Sequence, residues 1–283
     1  MNLSCRFNHN TLHHSVILAL VILLGIISGC ATVEKPPSLP LPAPSTGRFL
    51  DIQKSYAPTG EETLALRKLP VNSSDAVSPF VSSADVYIIV HPGYGIFFQN
   101  LLRDKHAESK YILLNKQFEN ETAFISSKAA SGATIILILP GNFETESVAP
   151  QSFISYLNRT AGPGPSVFYM TTKSSSSGNI AKDDMINLVT FLYNVKAERV
   201  MVGGGYIGRC QKEFHNELTS FLPKLVYIVP EISTISPEDI SALKATTIFE
   251  SIQQQNYTLV NQFIDRRSGN ASTNILSILP PQN

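Results

Sequence analysis

Three things are scarce in this sequence: net charge, cysteine and long apolar runs. The 22 basic and 22 acidic residues give a formal charge of zero, which argues against a nucleic-acid partner because such a partner needs a basic face. Only three cysteines are present, Cys5, Cys30 and Cys210. The longest mostly aliphatic run, Val16–Ile27, is shorter than the roughly 20 residues that span a bilayer.

That short run belongs to a leader. Arg6 is the only formal charge before it, and its length is typical of the apolar region of a signal peptide. Ile27-Ser28-Gly29-Cys30 follows at once and resembles the lipobox of bacterial lipoproteins. The resemblance implies that residues 1–29 are a signal peptide, and that Cys30 is acylated and attaches the chain to the lipid bilayer. The alternatives are an uncleaved N-terminal anchor and an incidental cysteine.

A proline-rich tether follows the lipidated residue and completes the segment 30–47. Residues 31–47 contain five prolines and little that could pack, so they are expected to stay extended and to hold a domain away from the membrane. Ala31 stands where an inner-membrane retention signal would carry Asp, which favours the outer membrane of the cell envelope, facing the periplasm. Because Cys5 leaves with the leader, Cys210 has no intramolecular partner and is either buried or reactive.

Residues 48–283 are predicted to form a single α/β domain. Short apolar runs rich in β-branched residues alternate with amphipathic stretches, a pattern typical of a mostly parallel sheet covered on both faces. We therefore expect a three-layer, Rossmann-like fold with five or six strands and helices on both faces. The predicted strands are 86–90, 134–139, 166–170, 199–202 and 225–229, with a weaker candidate at 274–279.

The stretches between the strands predict helices. Asp183 and Asp184 open one whose apolar residues recur at helical spacing, and Ser236–Asp239 has the features of a second helix start, with Ile240, Leu243, Ile248 and Ile252 on its apolar side. Residues 99–131 are expected to form a helix plus an irregular excursion. Residues 48–84 are expected to wrap the domain or to form a short strand and helix.

In such folds ligands bind beyond the carboxyl ends of the strands. Glycine, proline or polar groups follow each predicted strand, although ordinary strand-to-helix turns have the same composition. His91 precedes Pro92, which favours an extended backbone there. The residues proposed to line a ligand pocket are Asn142, Gly203, Gly204, Gly205, Tyr206, Arg209 and Glu231.

The stretch GGGYIGRC, residues 203–210, allows three interpretations. In the first, Gly203, Gly205 and Gly208 fit the G-x-G-x-x-G pattern that brings backbone close to a pyrophosphate. The turn resembles the NAD-binding turn of pyridine-nucleotide disulfide oxidoreductases, with Glu231 as the implied ribose partner. It follows the fourth predicted strand rather than the first, and neither a redox CxxC motif nor a second nucleotide domain accompanies it.

In the second interpretation, Cys210 is a nucleophile. The layout from Ser166 to Thr234 resembles the isochorismatase-like cysteine hydrolases, which implies a thiolate at Cys210 supported by Lys173. A thiol in the first turn of a helix, beside Arg209, has its thiolate stabilised. His91 stands where that superfamily keeps an Asp, so His91 would have to act as the base.

In the third interpretation, the stretch is a packing corner. Cys210, Phe214 and Leu218, with Phe221 or Leu222, share one helical face, and the glycines allow helix and strand to approach closely. His106 and His215 have no partner at metal-ligand spacing, so we expect no metal, and we expect no cofactor.

Two main functions remain open at this point, and a dinucleotide-binding protein is a minor alternative. The first is a non-catalytic module that binds an unknown small molecule or an envelope protein. The second is a cysteine-dependent hydrolase of a small amide or ester, with Cys210 as nucleophile, His91 as base and Lys173 as electrostatic support.

Overall fold

The computed structural model describes residues 49–70, 85–98, 107–268 and 274–279. The predicted signal peptide, Cys30 and the proline-rich tether lie outside these ranges. In the described ranges, no helix combines the length and the apolar character needed to cross a membrane.

A parallel sheet of six strands forms the centre of the fold. Its order is β1-β4-β3-β2-β5-β6, and every neighbouring pair runs parallel. Helices cover both faces, so the predicted three-layer Rossmann-like α/β fold is confirmed. The strands are β1 (Arg67–Lys68), β2 (Asp85–Val90), β3 (Thr134–Leu139), β4 (Val167–Thr171), β5 (Arg199–Gly204) and β6 (Val226–Ile228).

Nine α-helices and one 3-10 turn are described around the sheet. They are α1 (Phe49–Ser55), α2 (Tyr94–Phe97), α3 (Ala107–Ala130), α4 (Phe143–Glu146), α5 (Pro150–Ala161), α6 (Lys182–Asn194), α7 (Cys210–Phe221), the 3-10 turn (Pro230–Ile232), α8 (Ala242–Gln253) and α9 (Thr258–Ser268).

The alternation of side chains along each strand builds the two outer layers. In β2, Tyr87 and Ile89 pack in one apolar cluster with side chains of α3 and α5. Val86, Ile88 and Val90 point the other way and pack in a second cluster with side chains of α6 and α7. Because both faces are covered, the strand sequences are continuously apolar rather than alternating.

The helix predicted to start at Ser236 exists but begins later. The Ser236 carbonyl accepts the N–H of Asp239 at 3.1 Å and closes a turn, and α8 starts at Ala242 with the Ser241 hydroxyl accepting the N–H of Lys244 at 3.3 Å. Leu243 lies in the first turn of α8 and is exposed instead of packed, whereas Ile248 and Ile252 are buried as predicted.

Two weaker predictions at the ends of the domain have different outcomes. Residues 274–279 do not form a strand; Ile275 makes one isolated bridge to Ile228. Within residues 48–84, helix α1 and strand β1 bear out a short helix and strand, and residues 71–84 lie outside the described ranges.

Candidate functional site

The chain changes direction in the sheet at β2. From β2 it proceeds to β3 and β4 on one side, and then crosses back to β5 on the other side of β2. The loops that follow β2 and β5 therefore lead to helices on opposite faces of the sheet, and ligands of open α/β sheets bind where two such loops separate, at the carboxyl ends of the strands. We call this place the β2–β5 crevice, and its walls are His91–Phe98 and Gly204–Cys210.

One hydroxyl ties three of the strand-end loops together. Thr172 Oγ1 donates to the Ser174 carbonyl at 2.6 Å and accepts the N–H of Gly141 at 2.9 Å. His91 Nε2 lies 3.2 Å from the same oxygen. Because the one hydrogen of the hydroxyl is used on a carbonyl, His91 Nε2 must be the donor. The loops after β2, β3 and β4 thus meet at Thr172.

This hydrogen bond places the ring proton of His91 on Nε2 and leaves Nδ1 with a lone pair. His91 is 0% exposed, and its Nδ1 has no hydrogen-bond partner among the described residues. Burial lowers the pKa of His91 to about 3, so the ring is neutral at physiological pH. A buried acceptor without a donor is costly to leave in a folded protein.

The backbone of His91 differs from the sequence-based expectation. Its φ is 47°, which is left-handed rather than extended, even though Pro92 follows. The N–H of His91 donates to the Ile138 carbonyl at 2.7 Å while the ring reaches Thr172, and these two bonds hold a conformation that costs on the order of 1 kcal/mol.

Aromatic rings fill the β2–β5 crevice. The Tyr94 ring stacks on His91 at 5.3 Å and on Phe98 at 5.2 Å, and it meets the edge of Tyr206 at 5.6 Å between centroids. Tyr94 is half-buried. Tyr206 is 2% exposed and its hydroxyl, which lies against Gly95, has no hydrogen-bond partner in the described part of the chain.

Cys210 lies at the start of α7 and is packed. Its side chain is 3% exposed, and its sulfur accepts the N–H of Tyr206 at 3.4 Å. Burial raises the pKa of Cys210 to about 11, although the backbone N–H groups of Tyr206 and Gln211 act to lower it. The guanidinium of Arg209 pairs with Asp239. The thiol is therefore protonated at neutral pH despite its place in a first helical turn.

The three proposed catalytic side chains do not form a hydrogen-bonded group. Lys173 is exposed, one residue beyond the buried Thr172, and its N–H donates to the Asn179 carbonyl at 2.9 Å. Within the described ranges, no hydrogen bond or ion pair joins any two of Cys210, His91 and Lys173. Tyr94 lies beside His91, and burial is the main cause of the raised pKa of its hydroxyl.

Gly203 and Gly204, at the end of β5, and Gly205, directly after it, lie close to other protein atoms. A methyl group at Gly203 would lie 2.5 Å from the Ile232 side chain, and one at Gly205 would lie 3.1 Å from the Cys210 sulfur. Gly204 has a φ of 70° and lies against the Val90 carbonyl. The strand predicted at 199–202 extends two residues further, because Gly203 and Gly204 continue the pairing of β5 with β2.

The residues implied for a dinucleotide at this turn are engaged with other parts of the protein: Gly203 and Gly205 lie against the Ile232 side chain and the Cys210 sulfur. Glu231, the implied ribose partner, accepts hydrogen bonds on Oε1 from Tyr257 at 2.5 Å and from Ser277 at 2.9 Å. Its second oxygen is buried without a partner in the described residues. Glu231 therefore holds the 3-10 turn to the C-terminal segment, and these residues do not fit a bound NAD.

Asn142 follows β3 at the same edge of the sheet. Its φ is 57°, and its side-chain amide donates to Glu146 at 3.1 Å on the exposed surface. Across the described ranges, no group of three or more His, Cys, Asp or Glu side chains is arranged to hold a metal ion. His215 is buried, with a pKa lowered to about 4 chiefly by burial, and His106 lies outside those ranges.

The sequence analysis missed Glu121, a buried carboxyl behind the β2–β5 crevice. Glu121 is 3% exposed in α3. Its Oε1 accepts the N–H of Gly93 at 2.7 Å and the hydroxyl of Tyr156 at 3.3 Å. Burial raises its pKa to about 8. The signal was present, because Glu121 lies on the same helical stripe as Phe118 and Ile125.

A surface depression of about 430 Å³ lies elsewhere, between the segment before β1 and the start of α5. Its lining residues are Pro58, Thr59, Gly60, Glu61 and Gln151, and none of them follows a strand.

Neither a scan of protein-family models nor a search of curated proteins finds a match to this chain.

Proposed function

We propose that this protein is a lipid-anchored, non-catalytic binding module of the bacterial envelope, and that its ligand site is the β2–β5 crevice. The observation that carries the proposal is His91 Nδ1, a fully buried acceptor that lacks a donor at the switch point of the sheet. A ligand that donates to this nitrogen would remove the cost of leaving it unpaired.

The state of the thiol supports binding over catalysis. A cysteine nucleophile needs a thiolate near neutral pH and a base within hydrogen-bond reach. The pKa of Cys210 is raised to about 11, and that of His91 is lowered to about 3. An imidazole with so low a pKa is a weak proton acceptor, so the pair lacks the matched basicity that general-base catalysis requires.

The lipid anchor is proposed from the sequence. Ile27-Ser28-Gly29-Cys30 resembles a lipobox, and a proline-rich stretch follows it. On this proposal Cys30 carries the acyl chains and residues 31–47 connect the bilayer to the α/β domain.

Thiol titration tests the non-catalytic proposal. In the full chain carrying Cys5→Ser and Cys30→Ser, Cys210 is the one remaining thiol. We expect no reaction with dithiobis(nitrobenzoate) between pH 7 and 9 in the folded protein, and full reaction after unfolding in guanidinium. A matched protein that also carries Cys210→Ser sets the baseline.

A cysteine hydrolase is the second candidate, and one observation favours it: the backbone N–H groups of Tyr206 and Gln211 act on the Cys210 sulfur to lower its pKa. If ligand binding opened the crevice to water, these donors would stabilise a thiolate. Reaction of the folded protein well below pH 8.5, moved to higher pH by Lys173→Ala, would support this candidate and reject the first.

Metabolic labelling tests the anchor. Cells given radiolabelled palmitate should label the wild-type chain and leave Cys30→Ser unlabelled, and the variant should leave the membrane fraction. Cys5→Ser is the matched control and should label normally. An equally labelled Cys30→Ser protein would refute the anchor without affecting the proposal for the crevice.

A further inference from the structure

We propose that helix α1 is a displaceable latch, which couples the N-terminal attachment of the chain to the wall of the β2–β5 crevice. The inference rests on the proposed function, because the anchor and the crevice are both part of it, and it adds a means of regulating the crevice. The latch consists of α1 (Phe49–Ser55) and Tyr56, the residue that follows it.

The latch completes the C-terminal end of α2. The side chain of Gln53 donates from Nε2 to the Ile96 carbonyl at 2.6 Å, and this contact is buried. The last carbonyls of a helix have no partners within it, and α2 has only four residues, Tyr94–Phe97. Without Gln53 the Ile96 carbonyl would lose this donor in a buried place, which is costly. Part of the hydrogen bonding of α2 therefore depends on the latch.

The ring of Tyr56 makes the second connection. Tyr56 is 4% exposed, and its ring forms T-shaped contacts with Phe97 at 6.2 Å, Phe118 at 6.2 Å and Tyr156 at 5.3 Å between centroids. These three rings belong to α2, α3 and α5. Displacement of the latch would leave a cavity beside α2, because no other ring would fill the place of Tyr56.

The contacts of α2 extend from the latch to the crevice. Phe98 directly follows α2 and stacks on Tyr94 at 5.2 Å, and Tyr94 stacks on His91 at 5.3 Å between centroids. Glu121 holds the start of α2 through the N–H of Gly93 at 2.7 Å. Loss of the latch contacts therefore loosens the other end of α2, where Phe98 supports the stacked rings.

The shortness of α1 makes it displaceable. Isolated helices shorter than about 12 residues are marginal in water, and α1 has seven residues, so it keeps its form through contacts with α2 and α5. On α5, Arg159 donates to the Ser55 carbonyl at 3.0 Å in an exposed position. Displacement of the latch should therefore cost less free energy than unfolding of the sheet.

The latch is also the first described element after the proposed anchor. On that proposal, acylated Cys30 and residues 31–47 precede α1. The segment after the latch is held separately, because Asn158 accepts the N–H of Ala65 at 2.8 Å and donates to the Thr63 carbonyl at 3.0 Å. A pull toward the membrane would therefore act on the latch before it acts on this second attachment.

Hydrogen exchange of the full chain tests the coupling. In the wild type, we expect the amides of α1 and α2 to share one opening equilibrium and to exchange faster than those of β3. Gln53→Met keeps the size of the side chain and removes its donor, so exchange in both helices should rise together by about tenfold. Lys54→Met, at the next and exposed position, is the matched control and should exchange like the wild type.

Reaction with diethylpyrocarbonate shows whether the crevice responds. His91 is 0% exposed and His215 is 3% exposed, and His215 lies in α7, away from the latch. Peptide mass spectrometry follows both rings in the full chain. Gln53→Met should speed the modification of His91 by about tenfold and leave His215 unchanged, because global unfolding would expose both rings equally.

Force spectroscopy tests the displacement itself. The handles are attached at Cys30 and at Lys173→Cys in a full chain that also carries Cys5→Ser and Cys210→Ser. We expect a reversible first step before global unfolding, with a gain of at most about 25 Å for the seven residues of α1. Gln53→Met should lower the force of this step.

Three results would overturn the latch: exchange that rises in α1 alone, a His91 ring that stays as protected as His215, and unfolding under force without a first step. The wild-type exchange and force measurements need no change in the latch, so they decide the matter if Gln53→Met does not fold. None of the measurements uses an acyl chain or a ligand. The latch can therefore fail while the anchor and the binding function stand, and the reverse also holds.

Discussion

The two apolar clusters on opposite faces of the sheet differ in kind. The cluster under α3 and α5 contains the rings of Tyr56, Phe97, Phe118, Phe153 and Tyr156, which meet one another in edge and tilted contacts. The cluster under α6 and α7 is mainly aliphatic. We call them the aromatic cluster and the aliphatic cluster.

The two clusters act differently on the candidate site: one helps to position its residues, and the other mainly stabilises the fold. The aromatic cluster adjoins the carboxyl of Glu121, which holds Gly93 beside the β2–β5 crevice, and Phe97 lies in α2, three residues after Tyr94. The aliphatic cluster touches the crevice region through Val90 at the end of β2. One face of the sheet thus supports the candidate site with directional contacts, and the other contributes mainly apolar burial.

Truncating one ring in each cluster gives the largest expected effect. Phe153 and Phe214 are both fully buried, but Phe153 meets four other rings. Phe153→Ala should lower the free energy of unfolding by about 4 kcal/mol and Phe214→Ala by about 3 kcal/mol. Urea denaturation measures both, and equal losses would show that the ring contacts add nothing beyond burial.

A substitution at Gly178 tests how closely the loop after β4 packs against α7, on the side of the aliphatic cluster. A methyl group at Gly178 would collide with the backbone carbonyl of Cys210, so Gly178→Ala should cost about 3 kcal/mol. Gly60 has open space around it, and Gly60→Ala should leave the denaturation midpoint within experimental error. A tolerated Gly178→Ala would mean that the loop after β4 can move away from α7.

The raised pKa of Glu121, which adjoins the aromatic cluster, predicts that the stability of the protein depends on pH. Its pKa is raised from 4.5 to about 8 in the folded protein, so the folded state keeps a proton that the unfolded state releases. The contribution of Glu121 to the free energy of unfolding should therefore be full below pH 4.5 and be lost as the pH rises toward about 8.

Glu121→Gln removes the titration and should flatten this part of the stability curve, measured by urea denaturation at a series of pH values. Glu119→Gln, at an exposed position of the same helix, is the matched control and should keep the wild-type slope. An unchanged slope in Glu121→Gln would place the titrating group elsewhere.

The smallest effect is expected at an ion pair outside both clusters. Arg199 binds Asp85 through two hydrogen bonds of 2.7 Å at the amino ends of β5 and β2. Because both side chains reach solvent, Asp85→Asn should cost less than about 1 kcal/mol, and less still in 1 M salt. A larger loss of stability that does not depend on salt would show that this ion pair contributes more than an exposed pair normally does.

The strands could be predicted from sequence because each is a continuous apolar run, and β3 matches its predicted limits at 134–139. Element ends were less predictable. Gly203 and Gly204 extend β5 because they pair with Ile89 and Val90 of β2, a long-range contact that local composition does not show. The start of α8 was misplaced because Ser236 and Ser241 are both good caps in sequence.

At the candidate site, sequence located the strand-end loops but not their contacts. The resemblance to the cysteine hydrolases implied a role for Lys173, and the structure exposes this lysine and buries Thr172. The convergence of His91, Gly141 and Ser174 on one hydroxyl depends on the order of the strands. No local pattern shows which loops become neighbours.

The Thr172 hydroxyl couples the loops that follow β2, β3 and β4 at the carboxyl ends of the strands. Three loops separated by tens of residues in sequence are fastened at one atom of Thr172, so none can rearrange without breaking a bond that the other two also use. Motions of these loops should therefore be correlated, and amide exchange at Gly141 and His91 should quicken together when Thr172→Val removes the fastening. A local change in any one of these three loops would in this way reach the other two.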